Sequence, residues 1–172
     1  MELELHPSVT MHTGTFNALV APPELVLPAL NGNPEFRRFL FLYVCGNYSG
    51  LLSGINRRLM QIEVRRAFTA HQLVTILREA HHTIIFVEHD PSLYEDAGEL
   101  AEPVAGALSE AAESSLVILY APKGGPSFDS IARKADRVFY LNPVPPAGPG
   151  RRHRPLPRQR RISRNQTTLE GF

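Results

Sequence analysis

The chain has 172 residues, enough for one core domain and an appendage but not for two domains of usual size. Hydrophobic residues make up 43% and charged residues 20%, which excludes a membrane-embedded chain and a wholly disordered one. The formal net charge of +1 hides an asymmetry, since from Gly150 onward seven arginines face one glutamate, giving +6 there and −5 before it.

An acidic body with a basic arm points to a polyanionic partner for the arm alone. The start, Met1-Glu2-Leu3-Glu4, lacks the basic and apolar regions of a signal peptide. The longest apolar run, residues 39–45, is too short to span a bilayer. A single cysteine, Cys45, at the end of that run reads as a buried thiol. A cytoplasmic, nucleoid-associated protein with no membrane contact is expected.

Residues 1–14 carry little pattern. Thr15 to Val20 reads as a strand stopped by Pro22 and Pro23, residues 24–30 as a short helix or turn, and residues 31–34 as a loop. Residues 39–45 are apolar throughout, as in a strand covered on both faces. Residues 46–50 end it, residues 51–60 read as a short helix, and residues 61–64 as a short strand. Thr69 is placed to cap a helix running to about Ala80, with Leu73, Ile76 and Leu77 on its buried face. Residues 83–87 form a second buried strand, residues 97–114 a helix, and residues 116–120 a third buried strand. Residues 123–126 are a loop, residues 128–135 a helical turn and residues 137–141 a last strand. Buried strands alternating with helices predict a three-layer α/β domain with a mostly parallel sheet over residues 1–141.

After Leu141 the character changes. Residues 142–165 are rich in proline and arginine and too poor in apolar area to offset the entropy of ordering them. They are expected to be a disordered basic linker, reaching about 70 Å if extended. Arg151, Arg152, Arg154, Arg158, Arg160, Arg161 and Arg164 are candidates to neutralise phosphates of a DNA backbone. No aromatic is interleaved among them, so base reading is not expected.

The last seven residues are Gln166, Thr167, Thr168, Leu169, Glu170, Gly171 and Phe172. Glutamine, an aliphatic residue three places on and an aromatic three further suit one helical turn laid into a hydrophobic groove. The segment resembles the PCNA-interacting peptide of replication and repair proteins, with Gln166, Leu169 and Phe172 at its fixed positions and the second aromatic missing. That resemblance implies docking on the sliding clamp, with Thr167 and Thr168 in the same turn.

Residues 14–141 resemble the RecA/RadA recombinase superfamily, more closely archaeal RadA and its degenerate paralogues. Arg65-Arg66-Ala67-Phe68-Thr69-Ala70-His71-Gln72-Leu73 looks like the A-R-A-F-N-x-x-H-Q-M segment of RadA. Residues 83–88 look like its Walker B strand, with Glu88 where the family has aspartate. Residues 102–121 look like the following helix and strand, and residues 131–141 like the closing strand. The resemblance implies a RecA-like fold and RadA or another repair protein as a partner of the body.

The departures carry as much. A phosphate loop needs glycines, a lysine and a Ser/Thr hydroxyl. The corresponding place, residues 21–27, has Pro22, Pro23 and Glu24 and neither glycine nor lysine. No cofactor and no ATP hydrolysis are therefore expected, Glu88 being a vestigial Walker B acid. The alternative is a RecA-type ATPase or recombination mediator that uses Glu88 with a nonstandard phosphate loop.

Three other groupings allow two readings. Glu88, His89 and Asp90, with His81, His82 and Glu63, could be drawn as a metal or acid–base site, against plain turn and junction residues. His71 and Gln72 are either a remnant of a recombinase coupling element or ordinary helix-surface residues. Gly124 and Gly125 either touch an anion or form a plain loop.

Overall fold

In the computed structural model, residues 1–56, 58 and 61–142 are described. The residues assigned above to the basic arm and the clamp peptide, 151–172, lie outside them. The strands are β1 (Glu2–His6), β2 (Val9–His12), β3 (Thr15–Val20), β4 (Phe41–Cys45), β5 (Ile62–Arg66), β6 (Ile84–Glu88), β7 (Leu116–Ala121) and β8 (Arg137–Tyr140). The helices are α1 (Pro23–Gly32), α2 (Ala70–Arg78), α3 (Ala101–Ala112) and α4 (Pro126–Ala132).

Six strands form one sheet in the order β5-β4-β6-β7-β3-β8, every neighbouring pair being parallel. The fold is therefore α/β, with α1, α2, α3 and α4 lying in the β3–β4, β5–β6, β6–β7 and β7–β8 connections. β4, β6 and β7 are buried along their whole length, which explains their unbroken apolar sequence. Alternate residues feed two cores. Leu42, Val44, Ile85, Val87, Val117 and Leu119 face the layer made by α2, α3 and α4. Phe41, Tyr43, Ile84, Phe86, Ile118 and Tyr120 face the layer made by α1 and the β1–β2 hairpin.

The second core contains a row of aromatic rings across three strands. Phe86 stacks on Tyr43 with centroids 5.5 Å apart and on Tyr120 at 5.6 Å, while Phe36 meets Phe41 edge-on at 5.2 Å. Such pairs add about 0.5–1.5 kcal/mol each beyond their buried area. The row fixes β4, β6 and β7 in register just below the candidate site.

The β1–β2 hairpin adds an element to the residues that carried little pattern. Its alternation buries Leu3, Leu5, Val9 and Met11 and leaves Glu2 and Glu4 outward. Residues 51–56 also depart from expectation. They make a turn closed by the Gly54 N–H to the Leu51 carbonyl at 2.8 Å, anchored by buried Leu51, Leu52 and Ile55. Gly54 within that stretch, with Gly50 just before it, weakens a regular helix there.

Thr69 caps α2 as its sequence suggests, accepting from the Gln72 N–H at 3.2 Å. Gln72 returns the favour through its side-chain oxygen, which accepts from the Phe68 N–H at 2.8 Å. Gln72 is thus part of a reciprocal cap rather than a plain surface residue. α3 is shorter than predicted, because a 3-10 turn over Gly98–Leu100 precedes it. No helix among the described residues is long and apolar enough to cross a membrane.

Candidate functional site

The strands of a parallel sheet deliver their following loops to one edge, and that edge is where open α/β sheets bind ligands. The connections from β3 and β7 depart in opposite directions, toward β4 and toward β8. Residues 21–23 and 121–122 follow these two strands at the point where the connections diverge. There Pro22 precedes α1 without a side-chain cap, Pro23 has no N–H, and the Leu25 N–H already serves the Pro22 carbonyl at 3.0 Å. Few donors remain for a phosphate, and Glu24 adds negative charge in the first turn.

Glu88 ends β6 and is buried, with 8% of its surface exposed. One carboxylate oxygen accepts from the Tyr43 and Ser49 hydroxyls, and the other from the Gly50 N–H at 2.7 Å. The Ser49 hydroxyl also accepts from the Leu52 N–H at 2.9 Å, which holds the 46–52 loop against the strand. A carboxylate burdened with three donors is a structural hub, since burial without them would be costly. Burial, with the charge of Glu88 next in weight, holds the Tyr43 hydroxyl well above its ordinary range. Tyr120, opposite Glu88 on β7, is pushed up to about 12, by burial first and then by Glu88 and Glu24. Its hydroxyl is buried without a hydrogen-bond partner among the described residues.

His89 and Asp90 point elsewhere. The His89 ring stacks on Tyr94 at 5.4 Å, meets Phe128 edge-on at 5.6 Å, and places Nε2 3.0 Å from the Ser127 Oγ. Burial pulls its pKa down to about 4 against the smaller opposing charges of Asp90 and Asp129. Asp90 ties two loops together by accepting from the Asn47 N–H at 3.1 Å and the Ser92 N–H at 3.0 Å.

The metal grouping does not assemble. Glu63 pairs with His82 at 3.1 Å near the starts of β5 and β6, about 20 Å of strand away from Glu88. Among the described residues no three His, Cys, Asp or Glu side chains converge on a metal position. In the loop after β7, the Asp129 carboxylate lies over Gly124, where a Cβ would be 3.3 Å from it. That is a poor seat for an anion.

Sequence reading found Glu88 and missed its partners. Tyr43 stood out only as a hydroxyl inside an otherwise apolar strand, which is the signal that could have found it, because a buried tyrosine needs an acceptor. The Ser127–His89 pair joins residues 38 positions apart, and nothing in local spacing announces it.

The fold and this edge define an α/β protein with an open, parallel six-stranded sheet. No family model matches the chain. It is 40% identical over 129 residues to an uncharacterized protein of Archaeoglobus fulgidus, the match covering 74% of this chain and 65% of that protein. The chain thus spans less than two thirds of that relative's length.

Proposed function

We propose that the chain is a non-catalytic partner of the sliding clamp PCNA in DNA replication or repair. It docks by Gln166, Leu169 and Phe172, while the arginines from Arg151 to Arg164 track DNA backbone. The observation that carries this is the spacing of those three residues directly behind a run of seven arginines. Burying Leu169 and Phe172 in a groove contributes about 1.5–3 kcal/mol each. A docked clamp peptide and a phosphate-contacting arm on one tether reinforce each other through effective concentration.

For the body, the reading is a degenerate RecA-like domain that engages RadA or another repair protein. Its support is strand order: β7, aligned with the strand that follows the Walker B segment, lies between β3 and β6. The absence of nucleotide hydrolysis is supported by Pro22, Pro23 and Glu24 at the phosphate position and by the three donors that occupy Glu88.

The test is calorimetric titration of purified clamp with the full chain, with a chain lacking residues 166–172, and with Leu169→Ala/Phe172→Ala. Binding of the full chain that both changes abolish is expected. Equal binding by all three would reject the peptide, and measurable ATP turnover abolished by Glu88→Gln would reject the non-catalytic reading.

A further inference from the structure

Beside the Glu88 hub, and sharing none of its hydrogen bonds, a second set of side chains meets at the same sheet edge. Ser127 is the second residue of α4, and its Oγ lies 3.0 Å from the His89 Nε2. His89 is held by ring contacts on two sides, from Tyr94 and Phe128, and by its backbone N–H to the Tyr120 carbonyl at 2.8 Å. A hydroxyl, a base within hydrogen-bond reach and a third group fixing the base are the parts of an activated nucleophile. Ser127, with His89 packed behind it, opens onto space. A cavity of about 340 Å³ is lined by Pro91, Tyr94, Ala101, Pro126, Ser127 and Ser130. That volume falls at the small end of ligand pockets.

We propose that Ser127 and His89 form a nucleophile–base pair that accepts small acyl groups from uncharged esters. The reaction is written on these atoms. Ser127 Oγ bonds to the ester carbonyl carbon as its proton passes to His89 Nε2. The carbon–oxygen bond to the alcohol then breaks, and the alcohol leaves with that proton. Water, deprotonated by the same Nε2, cleaves the acyl-serine and restores both residues. Ser130 lies one helical turn on and lines the same cavity, so its hydroxyl is placed to donate to the carbonyl oxygen. The apolar walls suit a short alkyl chain, and Glu95 at the cavity margin disfavours anionic substrates.

Burial leaves His89 neutral down to pH about 4, with Asp90 and Asp129 the opposing charges and Tyr94 the titratable ring packed on it. The base is therefore available across the neutral range but weak, so slow turnover and a trapped acyl-enzyme are expected. This chemistry is independent of clamp docking, and the non-catalytic reading is confined to nucleotide hydrolysis.

The full chain is treated with a fluorophosphonate probe, which forms an Oγ–P bond with loss of fluoride, and the adduct is mapped by mass spectrometry. A single adduct on Ser127 is expected, absent in Ser127→Ala. His89→Gln, checked for folding by circular dichroism, slows labelling by roughly 100-fold. Ser130→Ala, which leaves the pair intact, slows hydrolysis of p-nitrophenyl acetate by roughly tenfold or more. The labelling rate is expected to be flat above pH 6 and to fall toward pH 4. No adduct, an adduct on another residue, or equal labelling of folded His89→Gln would overturn the proposal.

Discussion

Gly46 and Asp90 share one space. A Cβ built on Gly46 would lie 2.0 Å from the Asp90 Oδ2 and 2.6 Å from its Cβ, so the carboxylate occupies the place of the missing side chain. Asp90 uses that position to hold the loop after β4, through the Asn47 N–H, and the turn after β6, through the Ser92 N–H. Gly46→Ala must push Asp90 off both bonds, and a loss of about 2 kcal/mol is expected in urea denaturation. Gly106 is the internal control. It sits within α3 with nothing within 4 Å of its virtual Cβ. Gly106→Ala is expected to stabilise by about 0.5–1 kcal/mol.

Tyr43 contributes more than ring area to the core. Tyr43→Phe keeps the stack on Phe86 but removes one donor from the buried Glu88 carboxylate. The expected cost is about 1–3 kcal/mol. The sign of the alkaline effect follows from the raised pKa of the hydroxyl. The folded state favours the protonated phenol, so that stabilisation is complete below pH 10 and is lost as pH rises above it. Denaturation midpoints at pH 8 and 11 should fall for the wild type and fall less for Tyr43→Phe. Parallel losses in the two proteins would contradict this assignment.

His89 gives the opposite dependence. Its pKa drops from 6.5 to about 4 because burial disfavours the imidazolium. The unfolded chain then binds the extra proton first, so stability is full above pH 6.5 and declines as pH falls toward 4. The span corresponds to on the order of 3 kcal/mol. His89→Gln should be nearly insensitive to pH across that window compared with the wild type. Stability curves for both proteins at pH 7, 5.5 and 4.5 decide it.

The three strongest strands were legible because burial on both faces leaves no polar alternation in β4, β6 and β7, and such runs admit few readings. Thr69 was legible as a cap because its chemistry is local. The β1–β2 hairpin was missed although Leu3, Leu5, Val9 and Met11 alternate with polar residues, because each strand is too short for its period to dominate. The site was legible only in part. Glu88 lies at a recognisable strand end, whereas Tyr43 reaches it from a neighbouring strand 45 residues away in sequence and Ser49 from a loop. Those encounters follow from strand order, and strand order is decided by crossovers that no single segment encodes.

The arginine arm makes a quantitative prediction that separates phosphate contact from simple tethering. Each phosphate neutralised releases counterions, so the logarithm of affinity falls against the logarithm of salt by about 0.9 per contact on duplex DNA. Replacing Arg151, Arg152, Arg154 and Arg158 by serine removes four of the seven charges and leaves Gln166 to Phe172 untouched. If all four contact phosphate, fluorescence anisotropy between 50 and 200 mM salt should show the slope flatten by about 3.6, with weaker binding at low salt. Clamp binding without DNA should be unchanged, because the peptide is intact. A slope that does not move would reduce the arm to a spacer, and the acidic body would then have to supply any DNA contact against its own charge.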